Sequence, residues 1–307
     1  MSLLIVGSVA LDTVKTPFGR HENILGGSAV HASVAASFFV PVNLVGVVGK
    51  DFSPAHITFL NQRGIDTQGL QIKEGKTFHW EGFYEFDLNQ AHTLDTQLNV
   101  FAAFDPVIPD RYRSADFVFL ANIDPDLQLK VLAQMQKPKM VLLDTMNFWI
   151  ETKKAALLEV IKQVDVIVLN DAETRQLTGT PNLIAGAKAL LAMGVKKVII
   201  KKGEHGALLF EDGHYFAVPS FPLDKVVDPT GAGDSFAGSF IGYLAKTGDL
   251  SHNNLRKAIV IGSIVASYNV EDFSCDRMRT LTPKDIQHRF DELKKIVEFE
   301  ATELERL

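Results

Sequence analysis

Apolar runs alternate with helical patterns along most of this chain, and the alternation limits the fold more than any other feature. The clearest runs, such as 3–9, 140–144 and 197–201, are rich in Val, Ile and Leu. Strands that are apolar on both faces are typical of a parallel sheet covered by helices on each side. We therefore predict an α/β fold of three layers, α/β/α, with a mostly parallel central sheet.

The pattern also places the individual elements. We expect strands at 3–9, 42–48, 116–121, 140–144, 166–170 and 197–201, a hairpin at 207–218, and helices at 27–39, 54–63, 127–136, 152–163, 183–193, 235–245 and 283–307.

Two segments interrupt this rhythm, and they predict a second, smaller sheet. Residues 13–25 have no helical pattern, and residues 78–87 alternate with period two, as an antiparallel ribbon does. Long structureless loops are uncommon in compact domains. We therefore expect 13–25 and 76–104 to form a discontinuous β-sheet lid on a single domain that spans 1–307.

Composition excludes several classes of function. The 307 residues carry a net charge of −6, which offers no basic field for nucleic acid or an anionic membrane surface. The single Cys275 excludes an intrachain disulfide and a cysteine-built zinc site. The apolar N-terminus lacks the basic region of a signal peptide, and no apolar run approaches the ~18 residues of a membrane span. We expect a cytoplasmic enzyme.

The most informative motif is Asp-Pro-Thr-Gly-Ala-Gly-Asp at 228–234, between an extended stretch and a helical pattern. The backbone N–H groups of Gly231, Ala232 and Gly233 would converge at a helix N-terminus, which favours an anion such as phosphate. Asp234 follows, where it could accept a proton from an attacking hydroxyl. A phosphate cradle beside a base indicates phosphoryl transfer to an alcohol.

The full string resembles the signature of the PfkB/ribokinase family of ATP-dependent small-molecule kinases. The resemblance implies a ribokinase-like fold, ATP and Mg²⁺ as cofactors, and transfer of the γ-phosphate to a hydroxyl. It implies Asp234 as the catalytic base, Gly231, Ala232 and Gly233 as the phosphate cradle, and Thr230 beside the nucleotide.

Further landmarks fall in the family's order. Gly26-Gly27 resembles the early glycine pair that lies against the acceptor, and Asp12 matches an acidic position that binds acceptor hydroxyls. His31 stands where many relatives carry Asn and is implied to line the same substrate site. Asp144 and Asn147 resemble an element of the sugar kinases, without the Arg that often follows it.

The nucleotide side is implied by two further segments. Asn170 and Glu173 match an Asn-x-x-Glu element, in which Glu173 would hold Mg²⁺ through water. Lys201, Gly203 and Gly206 resemble the nucleotide loop. The resemblance also allows a monovalent cation such as K⁺ in the region of Asp228.

The acceptor is less constrained than the chemistry. Segment 76–104 contains one Lys, no Arg and four acidic residues, which disfavours an acceptor that already carries a phosphate. It contains seven aromatic residues that could stack on a base or form the lid's own core and a homodimer contact: Phe78, Trp80, Phe83, Tyr84, Phe86, Phe101 and Phe104. We expect a nucleoside 5′-hydroxyl as acceptor. An unphosphorylated sugar and a catalytically silent, metabolite-binding regulator remain as alternatives.

Overall fold

The computed structural model describes residues 1–211 and 213–300. Its strands are β1 (Leu3–Val6), β2 (Ala10–Thr16), β3 (Gly19–Gly26), β4 (Val42–Gly49), β5 (Ile65–Lys73), β6 (Phe78–Tyr84), β7 (Ala91–Gln97), β8 (Phe117–Leu120), β9 (Met140–Asp144), β10 (Val166–Asn170), β11 (Lys197–Lys201), β12 (Ala207–Glu211) and β13 (His214–Val218). Its helices are α1 (Ser28–Ala36), α2 (Pro54–Gln62), α3 (Pro125–Gln134), α4 (Asn147–Thr152), α5 (Lys154–Ile161), α6 (Asp171–Thr178), α7 (Leu183–Ala192), α8 (Ala232–Thr247), α9 (His252–Asn269), α10 (Asp276–Thr280) and α11 (Pro283–Val297).

The central sheet confirms the predicted fold class. Its strand order is β13-β12-β11-β10-β9-β8-β1-β4-β5, with parallel pairing from β11 through to β5. Strands β12 and β13 form the predicted hairpin and add antiparallel to β11. Because parallel strands all end at one edge, polar residues that follow them gather there.

Two hydrophobic cores fill the faces of this sheet. Successive residues of β1 alternate between them, with Leu3 and Ile5 in one core and Leu4 and Val6 in the other. Helices α1, α8 and α9 cover the first core, whereas α3, α5 and α7 cover the second. The sheet is therefore buried on both faces, as its uninterrupted apolar strands predicted.

The lid, defined as strands β2, β3, β6 and β7, forms a second sheet in the order β3-β2-β6-β7. The two predicted segments do pair, but the contact between them is parallel: β2 runs alongside β6, and β3 and β7 flank them antiparallel. In this register Asp12 lies opposite Trp80, so both side chains share one face of the lid.

Some boundaries differ from the prediction. The helix expected at 152–163 is α5, and a separate short helix, α4, precedes it; the extended stretch expected before residue 228 ends as a strand at Val218. The charged C-terminal helix expected from residue 283 is described as far as Val297, and its predicted last turns at 301–307 lie outside the described residues. Within the described part of the chain, no helix is both long and apolar enough to cross a bilayer.

Candidate active site

The anion loop, defined as residues 228–234, leads directly into α8. Gly231 caps this helix with φ of 75°, a backbone conformation that side chains with a Cβ adopt only under strain. A Cβ at this position would also overlap the imidazole of His31, which lies against it. The N–H of Ala232 donates to the carbonyl of Pro229 at 3.2 Å, so a phosphate oxygen would share this donor with the protein.

Close packing between helices holds the start of α8 in place. A Cβ on Gly238 would overlap the backbone of Ala32 in α1, and a Cβ on Gly242 would lie 2.9 Å from the Cα of Ala36. These glycines let α8 approach α1 at backbone distance. The position of the anion loop is therefore set by a rigid helix pair.

Asp234 lies in the first turn of α8 and stays partly accessible to solvent. Burial of its carboxylate, together with the negative charge of Asp144, raises its pKa to about 7, although Lys201 opposes the shift. A carboxylate with this pKa can accept a proton at neutral pH more readily than an ordinary Asp. The residue that the sequence predicts as the base thus has a pKa suited to that role.

Lys201 and Asp144 form an ion pair at the carboxyl edge of the sheet. They end β11 and β9, and the Lys201 Nζ lies 3.1 Å from the Asp144 Oδ2, with side chains only 18% and 5% exposed. Burial alone would lower the pKa of Lys201, but the charges of Asp144, Glu173 and Asp234 outweigh it and raise the pKa. A Cβ on Gly233 would lie 2.9 Å from this Nζ, so the ammonium group sits directly over the anion loop.

Asn170 and Glu173 form a capping box at the start of α6. The Asn170 side chain accepts from the Glu173 N–H, and the Glu173 carboxylate accepts from the Asn170 N–H, both at 2.7 Å. Burial is the main cause that raises the pKa of Glu173 to about 7; the charges of Asp144 and Asp234 add to it, and Lys201 opposes it. The capping role and a role near bound cations are compatible, because a bound cation would favour the ionised form.

The carboxylates of the site suit a Mg²⁺ ion that is bound mainly through water and phosphate. Among the described residues, no three His, Cys or carboxylate side chains are arranged to hold a metal by themselves. Glu173 instead contributes a carboxylate near Asp144 and Asp234. This arrangement fits Mg²⁺, which keeps several waters and is commonly held jointly by one or two carboxylates and substrate phosphates.

The acceptor side of the site is built around Asp12 of β2. Its side chain is 5% exposed, and its Oδ1 has no hydrogen-bond partner among the described residues. The carboxylate lies where a Cβ of Gly26 would be, so this glycine makes room for it, whereas Gly27 has φ of 96° and packs against the backbone of Ser8. Burial, then the charge of Asp228, raises the pKa of Asp12 to about 7, and the charge of Asp234 adds to this. A buried carboxylate oxygen without a donor is suited to a ligand hydroxyl.

The charge of Asp234 acts on both the acceptor side and the nucleotide side of the site. It adds to the raised pKa of Asp12 on one side and to that of Glu173 on the other. Asp234 is therefore electrostatically coupled to both sides.

Two buried residues support the anion loop: Asp228, which is its first residue, and His31, which lies against it. His31 is 2% exposed, and burial lowers its pKa to about 4, so the ring is neutral and supports Gly231 from below. The Asp228 carboxylate accepts from the N–H groups of Thr230 at 2.9 Å and Ser274 at 3.3 Å. The described contacts of both residues therefore hold the anion loop in place.

The lid and the turn that joins β6 to β7 contact the anion loop and the loop of residues 203–206. The hydroxyl groups of Thr230 and Tyr84 are 3.3 Å apart, and Asn89, between β6 and β7, donates to Glu204 at 3.2 Å. Gly203 (φ 54°) and Gly206 (φ 86°) bracket Glu204, and Gly206 packs against the backbone of Val218. A Cβ on Gly203 would lie 3.1 Å from the Asn89 Oδ1, so the glycine leaves space for the Asn89 side chain.

Sequence reasoning missed two features of the site. The helix α9 was not predicted, and with it Asn269, which donates to the Thr230 carbonyl at 2.9 Å. The ion pair of Asp144 with Lys201 was also missed, although both residues were named. The apolar spacing of Leu255, Ala258 and Ile259 in the first half of the helix is the signal that could have indicated α9.

Comparison with known proteins agrees with this geometry. The family model of the pfkB family carbohydrate kinases matches residues 6–281. A cytidine kinase of Thermococcus kodakarensis is 32% identical over 78% of this chain and 87% of its own length. A nucleoside kinase of Methanocaldococcus jannaschii is 28% identical over 53% of this chain and 51% of its own length.

Solved structures show the same fold. The crystal structure of the Methanocaldococcus jannaschii nucleoside kinase matches with a TM-score of 0.76 and 23% identity, over 95% of this chain and 99% of that one. A Burkholderia thailandensis nucleoside kinase in complex with inosine matches with a TM-score of 0.76 and 18% identity, over 95% and 98%. Since the family model spans nearly the whole chain, the chain belongs to the pfkB family of carbohydrate kinases.

Proposed function

We propose that this pfkB-family phosphotransferase moves the γ-phosphate of ATP to the 5′-hydroxyl of a nucleoside. The observation that carries the chemistry is the Lys201 ammonium over Gly233 of the anion loop, with Asp234 as the next residue and the unpartnered Asp12 oxygen on the acceptor side. An acceptor held by Asp12 would present a hydroxyl to Asp234. Phosphates on the anion loop would lie under Lys201.

In this proposal each side of the site has its own task. The N–H groups of the anion loop and Lys201 bind the negative charge that develops on the transferring phosphoryl group, where each well-placed donor contributes about 3 kcal/mol. Asp234 takes the proton of the acceptor hydroxyl, which contributes about 10²- to 10⁴-fold in rate. Mg²⁺, held through Glu173 and water, supplies charge neutralisation of the phosphates when it is bound.

The nucleoside acceptor is favoured by the lid. Of the seven aromatic residues in segment 76–104, Trp80 and Tyr84 pack with Val14 of β2 on the face that carries Asp12. Phe78 and Phe104 both pack on Phe101, and Phe83 stacks on His92. A ribose held at Asp12 would therefore bring its base close to Trp80. The likeness to a cytidine kinase over most of both chains supports the same acceptor class.

The experiment that tests the acceptor compares phosphorylation of a nucleoside panel with that of ribose and fructose. We expect the nucleosides to be the better substrates. In Trp80→Leu the KM for nucleosides should rise about 5- to 150-fold, because base–aromatic stacking contributes about 1–3 kcal/mol. Phe83→Leu, on the opposite face of the lid, is the matched control and should change the KM little.

A preference for free sugars, with no effect of Trp80→Leu, would instead support the sugar kinase alternative. That outcome would keep the phosphoryl transfer and reassign Trp80 to the packing of the lid.

Three finer points stay proposals. A homodimer through the lid is supported by the exposed Phe86 and Leu94, which are 92% and 60% exposed. The absence of nucleic acid among the partners is supported by the net charge of −6. The cytoplasm as the compartment remains a prediction from the sequence.

A further inference from the structure

The side chain of Asn269 joins α9 to the anion loop and to α8. It is 1% exposed and ends α9. Its Nδ2 donates to the Thr230 carbonyl at 2.9 Å, and its Oδ1 accepts from the Ser235 hydroxyl at 3.0 Å. One amide therefore holds both the residue before Gly231 and the first turn of α8.

The partners fix the orientation of this amide. The Thr230 carbonyl can only accept, so it must face the Nδ2 of Asn269, whereas the Ser235 hydroxyl can donate to the Oδ1. The amide is thus the centre of a buried network beneath the anion loop.

The same contacts bear on the monovalent cation that the resemblance allows near Asp228. A cation there would bind oxygens that already have protein donors. Both Asp228 oxygens accept from backbone N–H groups, and the carbonyl of Val270 accepts from the N–H groups of Val227 at 2.7 Å and Asp228 at 3.3 Å. The Thr230 carbonyl accepts from Asn269. A bound K⁺ would therefore have to share these oxygens with donors that already hold them in place.

We propose that Asn269 is a positioning residue whose amide holds the Thr230 carbonyl in the way that a bound cation would. The N–H groups of the anion loop then point toward the phosphates, and turnover does not require a monovalent cation. This inference rests on the proposed function, because it assumes that ATP phosphates bind the anion loop.

The test exchanges the amide for a carboxyl group. Asn269→Asp keeps an oxygen for Ser235 but places a second oxygen against the Thr230 carbonyl. We expect the dissociation constant and the KM for ATP to rise about tenfold or more, since a buried carbonyl loses its donor. The KM for the nucleoside should stay nearly unchanged.

Asn254→Asp is the matched control. Asn254 is a buried amide near the start of α9, and its Nδ2 donates to Thr247 at 2.8 Å and to the Asp249 carbonyl at 2.7 Å. The chemical change is the same, but it lies at the other end of the helix. We expect a lower melting temperature with unchanged ATP affinity. Equal losses of ATP affinity in both variants, or an unchanged ATP affinity in Asn269→Asp, would overturn the proposal.

A second measurement does not depend on the folding of a variant. The wild-type rate with tetramethylammonium chloride should equal the rate with potassium chloride, and a loss of tenfold or more without K⁺ would contradict the inference. ATP affinity is measured by calorimetry without an acceptor. A protein that binds ATP but phosphorylates no nucleoside would therefore refute the proposed function separately.

Discussion

Replacing Asp12 by Asn should make the free protein more stable at pH 8 while removing its affinity for the acceptor. Asp12 is buried, and its pKa is raised from an ordinary value of 3.8 to about 7 by burial first and then by Asp228. The folded state thus keeps a proton between about pH 4 and pH 7 that the unfolded chain releases. The free energy of unfolding therefore falls as the pH rises through this window.

The magnitude follows from the shift. Each pKa unit corresponds to about 1.4 kcal/mol, so a shift of roughly three units corresponds to an upper bound of about 4 kcal/mol lost by pH 8. Asn cannot ionise and should avoid this loss. The gain of Asp12→Asn over the wild type should therefore be up to about 4 kcal/mol larger at pH 8 than at pH 4, or roughly 6 °C in melting temperature.

The assay is thermal or urea unfolding of both proteins from pH 4 to pH 8.5, with and without nucleoside. Glu85→Gln is the control, because Glu85 is an exposed carboxylate of the same lid region. We expect nucleoside to stabilise the wild type but not Asp12→Asn. A variant that is destabilised equally at pH 4 and pH 8 would refute the reasoning that burial raises the pKa of Asp12.

Three further predictions concern the catalytic side. Lys201→Met should reduce kcat by about 10²- to 10³-fold, as loss of a transition-state donor does. The substitution should also shift the rise of kcat/KM to a pH above about 7, because Lys201 holds down the pKa of Asp234. A pH–rate profile with an unchanged midpoint would argue against this effect of Lys201. Gly231→Ala should abolish ATP binding, because residue 231 has φ of 75° and a Cβ there would overlap the imidazole of His31. Gly248, at the other end of α8, has φ of 67° and is the control. Gly248→Ala should cost about 1–2 kcal/mol in stability and leave ATP affinity intact. Tyr84→Phe removes the hydroxyl contact between the lid and the anion loop. The rate of ATP hydrolysis without acceptor, measured as ADP release, should then increase relative to the rate of phosphoryl transfer. An unchanged ratio of the two rates would show that this contact does not keep the lid closed.

The sequence predicted the central sheet well for a physical reason. Strands β9, β10 and β11 have the predicted bounds, because each is a short apolar run that ends at a polar residue. The lid was also predicted as a sheet of two segments, since period-two alternation distinguishes a ribbon from a helix. Its parallel β2–β6 contact was not predicted, because strand order depends on tertiary packing.

Other features could not be read from the pattern. Helix α9 is buried on nearly all sides in its second half, so its residues do not show a polar and an apolar face. The ion pair of Lys201 with Asp144 joins two strands that flank β10, and only the strand order brings them together. The motif of the anion loop did predict a helix start, because a glycine at the cap and a carboxylate in the first turn are local signals of a helix N-terminus.

ADP release with ATP, Mg²⁺ and a nucleoside, in the wild type and in Asp234→Asn, tests whether Asp234 is the base of a nucleoside kinase. We expect turnover that depends on the nucleoside in the wild type. We expect a loss of about 10²-fold or more in Asp234→Asn with ATP affinity retained, because the base is lost but the anion loop is not. Near-normal turnover in Asp234→Asn would remove Asp234 from the mechanism, and tight nucleoside binding without turnover in the wild type would indicate a silent regulator instead.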